Sequence, residues 1–118
     1  MTAPVRKLLH TMDAVLTPAS PACDAGELAA AATAAVAAGG GHVLDTSQVT
    51  FPNGAVTLVL ILAESHLAIH TWPEEHLVAI DLFSCGTIDP ARITAELARS
   101  LHLAEARTHQ VERGHPVS

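Results

Sequence analysis

The sequence predicts a two-layer α/β sandwich of the α+β kind, in the order β-α-β-β-β-α-β, with a mostly antiparallel sheet and both helices on one face. Three observations carry that reading. Two stretches have helical signals, one alanine-rich and one with Ile93, Leu97 and Leu101 four residues apart. Three apolar runs of strand length lie between them, which is the pattern of a sheet with its helices gathered on one side. The 118 residues are 49% hydrophobic and 15% charged, as expected of a single folded domain around one core.

The elements follow in order. Val5 to Val15 alternates imperfectly and reads as a first strand. The stretch Thr17-Pro18-Ala19-Ser20-Pro21-Ala22 reads as a loop, because its prolines cannot donate to a ladder. Asp24 with Glu27 resembles a capping box, and Leu28 to Ala38 continues in the best helix former, alanine. Gly39-Gly40-Gly41 ends that helix, since glycine readily takes the left-handed cap conformation. His42 to Phe51 is a strand, Pro52-Asn53-Gly54 a turn, and Val56 to Ala63 an apolar strand buried on both faces. Leu77 to Phe83 is a further strand. Asp89-Pro90 caps a second helix running through Leu103, and Arg107 to Val111 closes the sheet before a Gly-Pro tail expected to fray.

Composition excludes several classes of function. A net charge of −6 with six Lys and Arg argues against a nucleic-acid partner. The two cysteines, Cys23 and Cys85, form neither a CxxC pair nor a disulfide framework, which suits a reducing cytoplasm. No apolar run reaches the roughly 18 residues that a membrane span needs, and Arg6-Lys7 is not followed by the apolar stretch of a secretory signal. Only 3% of the residues are aromatic and tyrosine is absent, so Phe51, Trp72 and Phe83 each need a reason.

Ionisable groups concentrate between Glu64 and His76, right after the most apolar strand, together with the single tryptophan. Three readings compete for the segment. His66 and His70 could hold a metal, but HExxH is absent and no third ligand is fixed nearby, so no metal is expected. A serine hydrolase would need glycines around its nucleophile, and Ala63-Glu64-Ser65-His66-Leu67 has none. The bland alternative has the histidines capping a turn and Trp72 plugging the core edge.

The run Ala63-Glu64-Ser65-His66-Leu67-Ala68-Ile69-His70-Thr71-Trp72-Pro73-Glu74, followed by Ala79-Ile80-Asp81-Leu82-Phe83-Ser84-Cys85-Gly86, resembles the prokaryotic S-adenosylmethionine decarboxylase proenzyme family. That family's signature is ESH-x-x-x-HTWPE and then D-hydrophobic-F-x-C-G at this separation. The likeness is gap-free from Val56 to Gly86. The two helices and Gln110-Val111-Glu112-Arg113-Gly114 fit more loosely.

The resemblance implies a chain that makes its own cofactor. Ser65 would attack the carbonyl carbon of Glu64, and elimination from the resulting ester would leave a pyruvoyl group. The products are a β chain of residues 1–64 and an α chain of residues 65–118 with that group at its start. The pyruvoyl ketone condenses with the substrate amine and takes up electrons as carbon dioxide leaves, the part pyridoxal phosphate plays elsewhere. His70 matches the processing histidine, Cys85 the cysteine that returns a proton to the substrate, and Thr57 a serine that assists processing. Phe51 and Trp72 would flank an adenine, and Glu74 would accept from ribose hydroxyls. The partners implied are a small amino-acid substrate and a second copy in a homodimer, with sites shared across the interface in many members.

The chain departs from the family at its edges. Arg6-Lys7-Leu8-Leu9-His10 lacks the usual glycine, the proline-rich loop is longer, and Phe51 is followed directly by Pro52. These positions shape the substrate pocket. The expected activity is decarboxylation of S-adenosylmethionine for spermidine synthesis. The alternatives are decarboxylation of ornithine or arginine, with Glu74 or Glu75 holding a distal cation, or a non-catalytic homologue that activates another copy.

Overall fold

The structure, a computed structural model, describes residues 5–114. The C-terminal tail beyond Gly114 and the first four residues lie outside the described residues. Six strands form one sheet: β1 (Lys7–Leu16), β2 (Val43–Thr50), β3 (Val56–Leu62), β4 (Ser65–Trp72), β5 (Leu77–Cys85) and β6 (Leu103–Arg113). Their order across the sheet is β2-β3-β4-β5-β1-β6, and every neighbouring pair is antiparallel. Helix α1 (Ala25–Ala38) packs on β2 and β3, helix α2 (Pro90–Ser100) on β6, β1 and β5, and the helices touch each other. This is the two-layer sandwich expected.

Both helices start where a side chain satisfies a free backbone donor. Asp24 accepts from the N–H of Glu27 at 3.0 Å, and Asp89 from that of Arg92 at 3.1 Å. At the C-terminus of α1, a Cβ on Gly39 would come within 2.4 Å of Ile93 Cγ1. Ile93 is fully buried and cannot move aside, so only glycine lets α2 begin this close; the N–H of Asp89 donates to the Gly39 carbonyl at 2.9 Å.

The four central strands, β1, β3, β4 and β5, alternate between buried and half-exposed positions, so the sheet has two unlike faces. Met12, Leu58, Leu60, Ile69, Ile80 and Leu82 point to the helices, where α1 contributes Leu28 and Val36 and α2 contributes Ile93 and Leu97. Each such side chain contributes about 1.5–3 kcal/mol when fully buried. The opposite face carries Thr57, His66, His70, Trp72, Phe83 and Cys85, and no described helix covers it.

The structure corrects the expected elements at four points. Helix α2 ends at Ser100 rather than running through Leu103, because His102 turns the chain with φ 50 and Leu103 opens β6. Four strands, not three, separate the helices, because Ser65–Trp72 is a central strand rather than a polar loop. Leu67, Ile69 and Thr71 are its buried positions, and the ionisable residues that made the segment look like a loop occupy the other face. The strand Val56–Leu62 is buried on one face only, Ile61 being 46% exposed on the other. The last strand spans Leu103–Arg113, longer than the expected 107–111 because it pairs along nearly all of β1.

Candidate active site

Ala63 and Glu64 form the tight turn between β3 and β4, and Leu62 pairs with Ser65 across it. Ser65 has φ 145, a conformation that side chains other than glycine's rarely adopt. A residue held there is strained, and its neighbours must hold it. Cys85, at the end of β5, supplies two donors to the carbonyl oxygen of Glu64. Its main-chain N–H lies at 3.0 Å and its thiol at 3.2 Å.

The Glu64 carboxylate is held as well. It accepts from the main-chain N–H of His42 at 3.0 Å and from His42 Nδ1 at 2.8 Å. The hydrogen bond from the His42 side chain is the main reason the Glu64 pKa is lowered from its usual value. Beside Ser65, His66 Nδ1 lies 3.5 Å from Oγ, at the outer limit of a hydrogen bond, and its ring stacks on Phe83 with centroids 5.7 Å apart.

A second group of residues lines a cavity of about 430 Å³ at the other end of β4. Phe51, Asn53, Thr57, His70, Trp72 and Glu74 form its walls. His70 Nδ1 is 3.1 Å from Thr57 Oγ1, its cross-strand neighbour. The His70 and Trp72 rings lie 5.9 Å apart at a tilt of 37°. Pro73 turns the chain into a short 3-10 segment (Pro73–Glu75), which brings Glu74 to the amide of Asn53 at 3.3 Å.

The expected site residues thus fall into two groups. Glu64, Ser65 and Cys85 meet at one end of the sheet; Phe51, Thr57, His70, Trp72 and Glu74 meet at the other. Ser65 and His70 are five residues apart on one strand, roughly 16 Å at the usual rise, so a single chain does not bring them together. His42 and Asn53 were missed from sequence. Asn53 carried a turn signal that pointed to backbone shape, and His42 carried none. Among the described residues no three His, Cys, Asp or Glu side chains converge as metal ligands, and no helix is long and apolar enough to cross a membrane.

The fold and these two groups place the chain among two-layer α/β sandwiches that carry ionisable residues on a sheet face left open by the helices. The family profile of S-adenosylmethionine decarboxylase matches residues 10–114, and the chain belongs to that family. It is similar to the S-adenosylmethionine decarboxylase proenzyme of Symbiobacterium thermophilum, 55% identical over 53 residues, which are 44% of this chain and 40% of that one. The proenzyme of Thermotoga petrophila is 40% identical over 82 residues, 69% of this chain and 62% of that one. Proenzyme 2 of Bacillus cereus is 50% identical over 48 residues, 41% and 39% of the two chains. The matched segments span about half the length of these relatives, from 39% to 62%. The fold is similar to the crystal structure of the adenosylmethionine decarboxylase from Aquifex aeolicus, with a TM-score of 0.80 and 24% identity, covering 98% of this chain and 96% of that one.

Proposed function

We propose that this chain is a cytoplasmic proenzyme that cleaves itself between Glu64 and Ser65 and then decarboxylates S-adenosylmethionine for spermidine synthesis. The observation that carries the reading is the placement of both Cys85 donors on the Glu64 carbonyl oxygen, beside the hydroxyl of a strained Ser65.

Those donors polarise the carbonyl and stabilise the negative charge that grows on its oxygen as Ser65 Oγ attacks the carbon. Collapse breaks the Glu64–Ser65 amide and leaves an ester. A base then removes the Ser65 α-proton, the Glu64 carboxylate leaves with the ester oxygen, and the remaining dehydroalanine takes up water and loses ammonia. The residue so produced is a pyruvoyl group at position 65. Ser65 fits as its source: its hydroxyl is adjacent to the scissile carbonyl, and breaking the peptide relieves the backbone strain. The group supplies an electron sink for decarboxylation.

The chain's own residues supply the rest. The Cys85 thiol, freed from the Glu64 carbonyl, holds the proton delivered to the substrate α-carbon. The cavity between Phe51 and Trp72 takes the adenine, and Asn53 holds the Glu74 carboxylate toward the ribose hydroxyls. His70 donating its Nδ1 proton to Thr57 Oγ1 presents the lone pair of Nε2 as a base. On one chain that base is remote from Ser65. A homodimer packed open face to open face resolves this, because in a two-fold contact the His70 end of each copy can meet the Ser65 end of the other. Ile61, Phe83, Leu9 and Val111 lie in one cross-strand row on that face, with His66 between Ile61 and Phe83, and this largely apolar row supports the pairing.

The test is carbon dioxide release by the incubated full chain from S-adenosylmethionine, ornithine and arginine at matched concentrations. Turnover of the adenosyl substrate is expected. Turnover of ornithine or arginine with none of S-adenosylmethionine would overturn the substrate while leaving the self-cleavage in place.

A further inference from the structure

We infer that His42 is a positioning residue for self-cleavage, clamping the Glu64 side chain so that the Glu64–Ser65 peptide stays in the strained conformation from which Ser65 attacks. The inference rests on the cleavage proposed above and adds to it a residue at the entry to another strand.

Glu64 is gripped at both ends. Its carbonyl oxygen is tied to Cys85 on β5, and its carboxylate to His42 at the entry to β2. Both carboxylate oxygens are used, Oε1 by the main-chain N–H and Oε2 by the imidazole. The Ala63 N–H donates back to the His42 carbonyl at 2.9 Å, so both residues of the turn are tied to His42. A strained φ persists only where the surroundings over-determine it, and these two grips fix Glu64, the residue whose peptide bond leads into Ser65.

The imidazole has no other employment. Its side chain is 74% exposed while that of Glu64 is 17% exposed, so His42 reaches in from solvent to a half-buried carboxylate and adds nothing to the core. Local sequence makes the approach possible. At Gly41 a Cβ would lie 2.7 Å from Val36 Cγ1 and 3.4 Å from Glu64 Oε1, so a side chain there would crowd the carboxylate that His42 holds.

The experiment is cell-free synthesis of the full chain, with fragment appearance followed on denaturing gels and melting temperature measured on the Ser65→Ala form of each variant. His42→Ala should slow cleavage by about five- to tenfold, the loss of one charge-assisted hydrogen bond at a partly screened site, with the melting temperature nearly unchanged. His42→Asn should recover most of the rate, because an amide nitrogen can sit where Nδ1 does. In a Glu64→Ala background, His42→Ala should have no further effect. Cleavage of His42→Ala at the wild-type rate, an equal slowing in His42→Asn, or an undiminished effect without the Glu64 carboxylate would each overturn the assignment. A wild-type chain that never cleaves would instead overturn the self-cleavage itself.

Discussion

Cys85 places two donors on a single acceptor, its N–H at 3.0 Å and its thiol at 3.2 Å from the carbonyl oxygen of Glu64. Only the second is removed by Cys85→Ala. That variant should still cleave, more slowly, through the remaining N–H, and it should decarboxylate on the order of 10²–10⁴ more slowly for want of the proposed proton donor. Timed gels and carbon dioxide release separate the two effects. Wild-type rates in both would remove Cys85 from the account.

The separation of Ser65 from His70 makes a prediction about pairs of chains. In the proposed mechanism Ser65→Ala cannot start the acyl shift and His70→Ala lacks the base for elimination, so neither should cleave efficiently alone. Co-expressed, they should form mixed dimers in which the His70→Ala chain is cut with help from its partner. Mass spectrometry identifies which chain was cleaved. Absence of any rescue in a mixture shown to contain mixed dimers would contradict a shared site.

The cavity predicts how substrate binding responds. Trp72→Ala should cost about 1–3 kcal/mol, the scale for stacking a base on an aromatic ring. The loss should fall on KM, because a contact remote from the reacting carbon acts alike on ground and transition states. Glu74→Gln should also raise KM, since it weakens acceptance from the ribose. A change confined to kcat in both variants would argue against this placement of the adenosyl moiety.

His10 predicts a pH dependence of stability. It is buried between β1, α2 and β6, where its Nδ1 accepts from Gln110 at 3.0 Å and its Nε2 donates to Thr94 Oγ1 at 3.2 Å. Thr94 in turn donates to main-chain carbonyls of α2, so the neutral ring is fully satisfied. Burial lowers its pKa from the usual 6.5, opposed by the nearby Asp89 charge. The unfolded chain therefore binds this proton first. The stabilisation is complete above the unfolded value and is lost as pH falls below it toward the depressed folded one. Between about pH 8 and pH 5, urea midpoints of the wild type should fall further than those of His10→Gln, which keeps a polar side chain without titrating. Equal falls would contradict the neutral network.

Much of this molecule could be read from its sequence because local signals and tertiary structure agree. Asp24, Asp89 and the alanine run placed the first helix and the start of the second within a residue or so, and Pro52-Asn53-Gly54 placed the turn after β2. The end of α2 lay three residues short of the expected Leu103. β4 escaped because its chemistry masked its periodicity. His66, His70 and Trp72 crowd one face, and the alternation with Leu67, Ile69 and Thr71 becomes plain only once the strand has neighbours. The site residues from Glu64 to Cys85 were reached through family likeness, which carries roles but no distances. That Ser65 and His70 stand apart, and that a histidine 22 positions before Glu64 holds its side chain, follow from strand register and the path of the chain, which one sequence does not display.

The intact mass of the purified chain tests the central claim most directly. Two fragments are expected, residues 1–64 and residues 65–118, the second lighter than a serine-initiated peptide by one ammonia. Ser65→Ala should give the mass of the uncut 118-residue chain. A folded wild-type protein that keeps that uncut mass after long incubation would contradict the account.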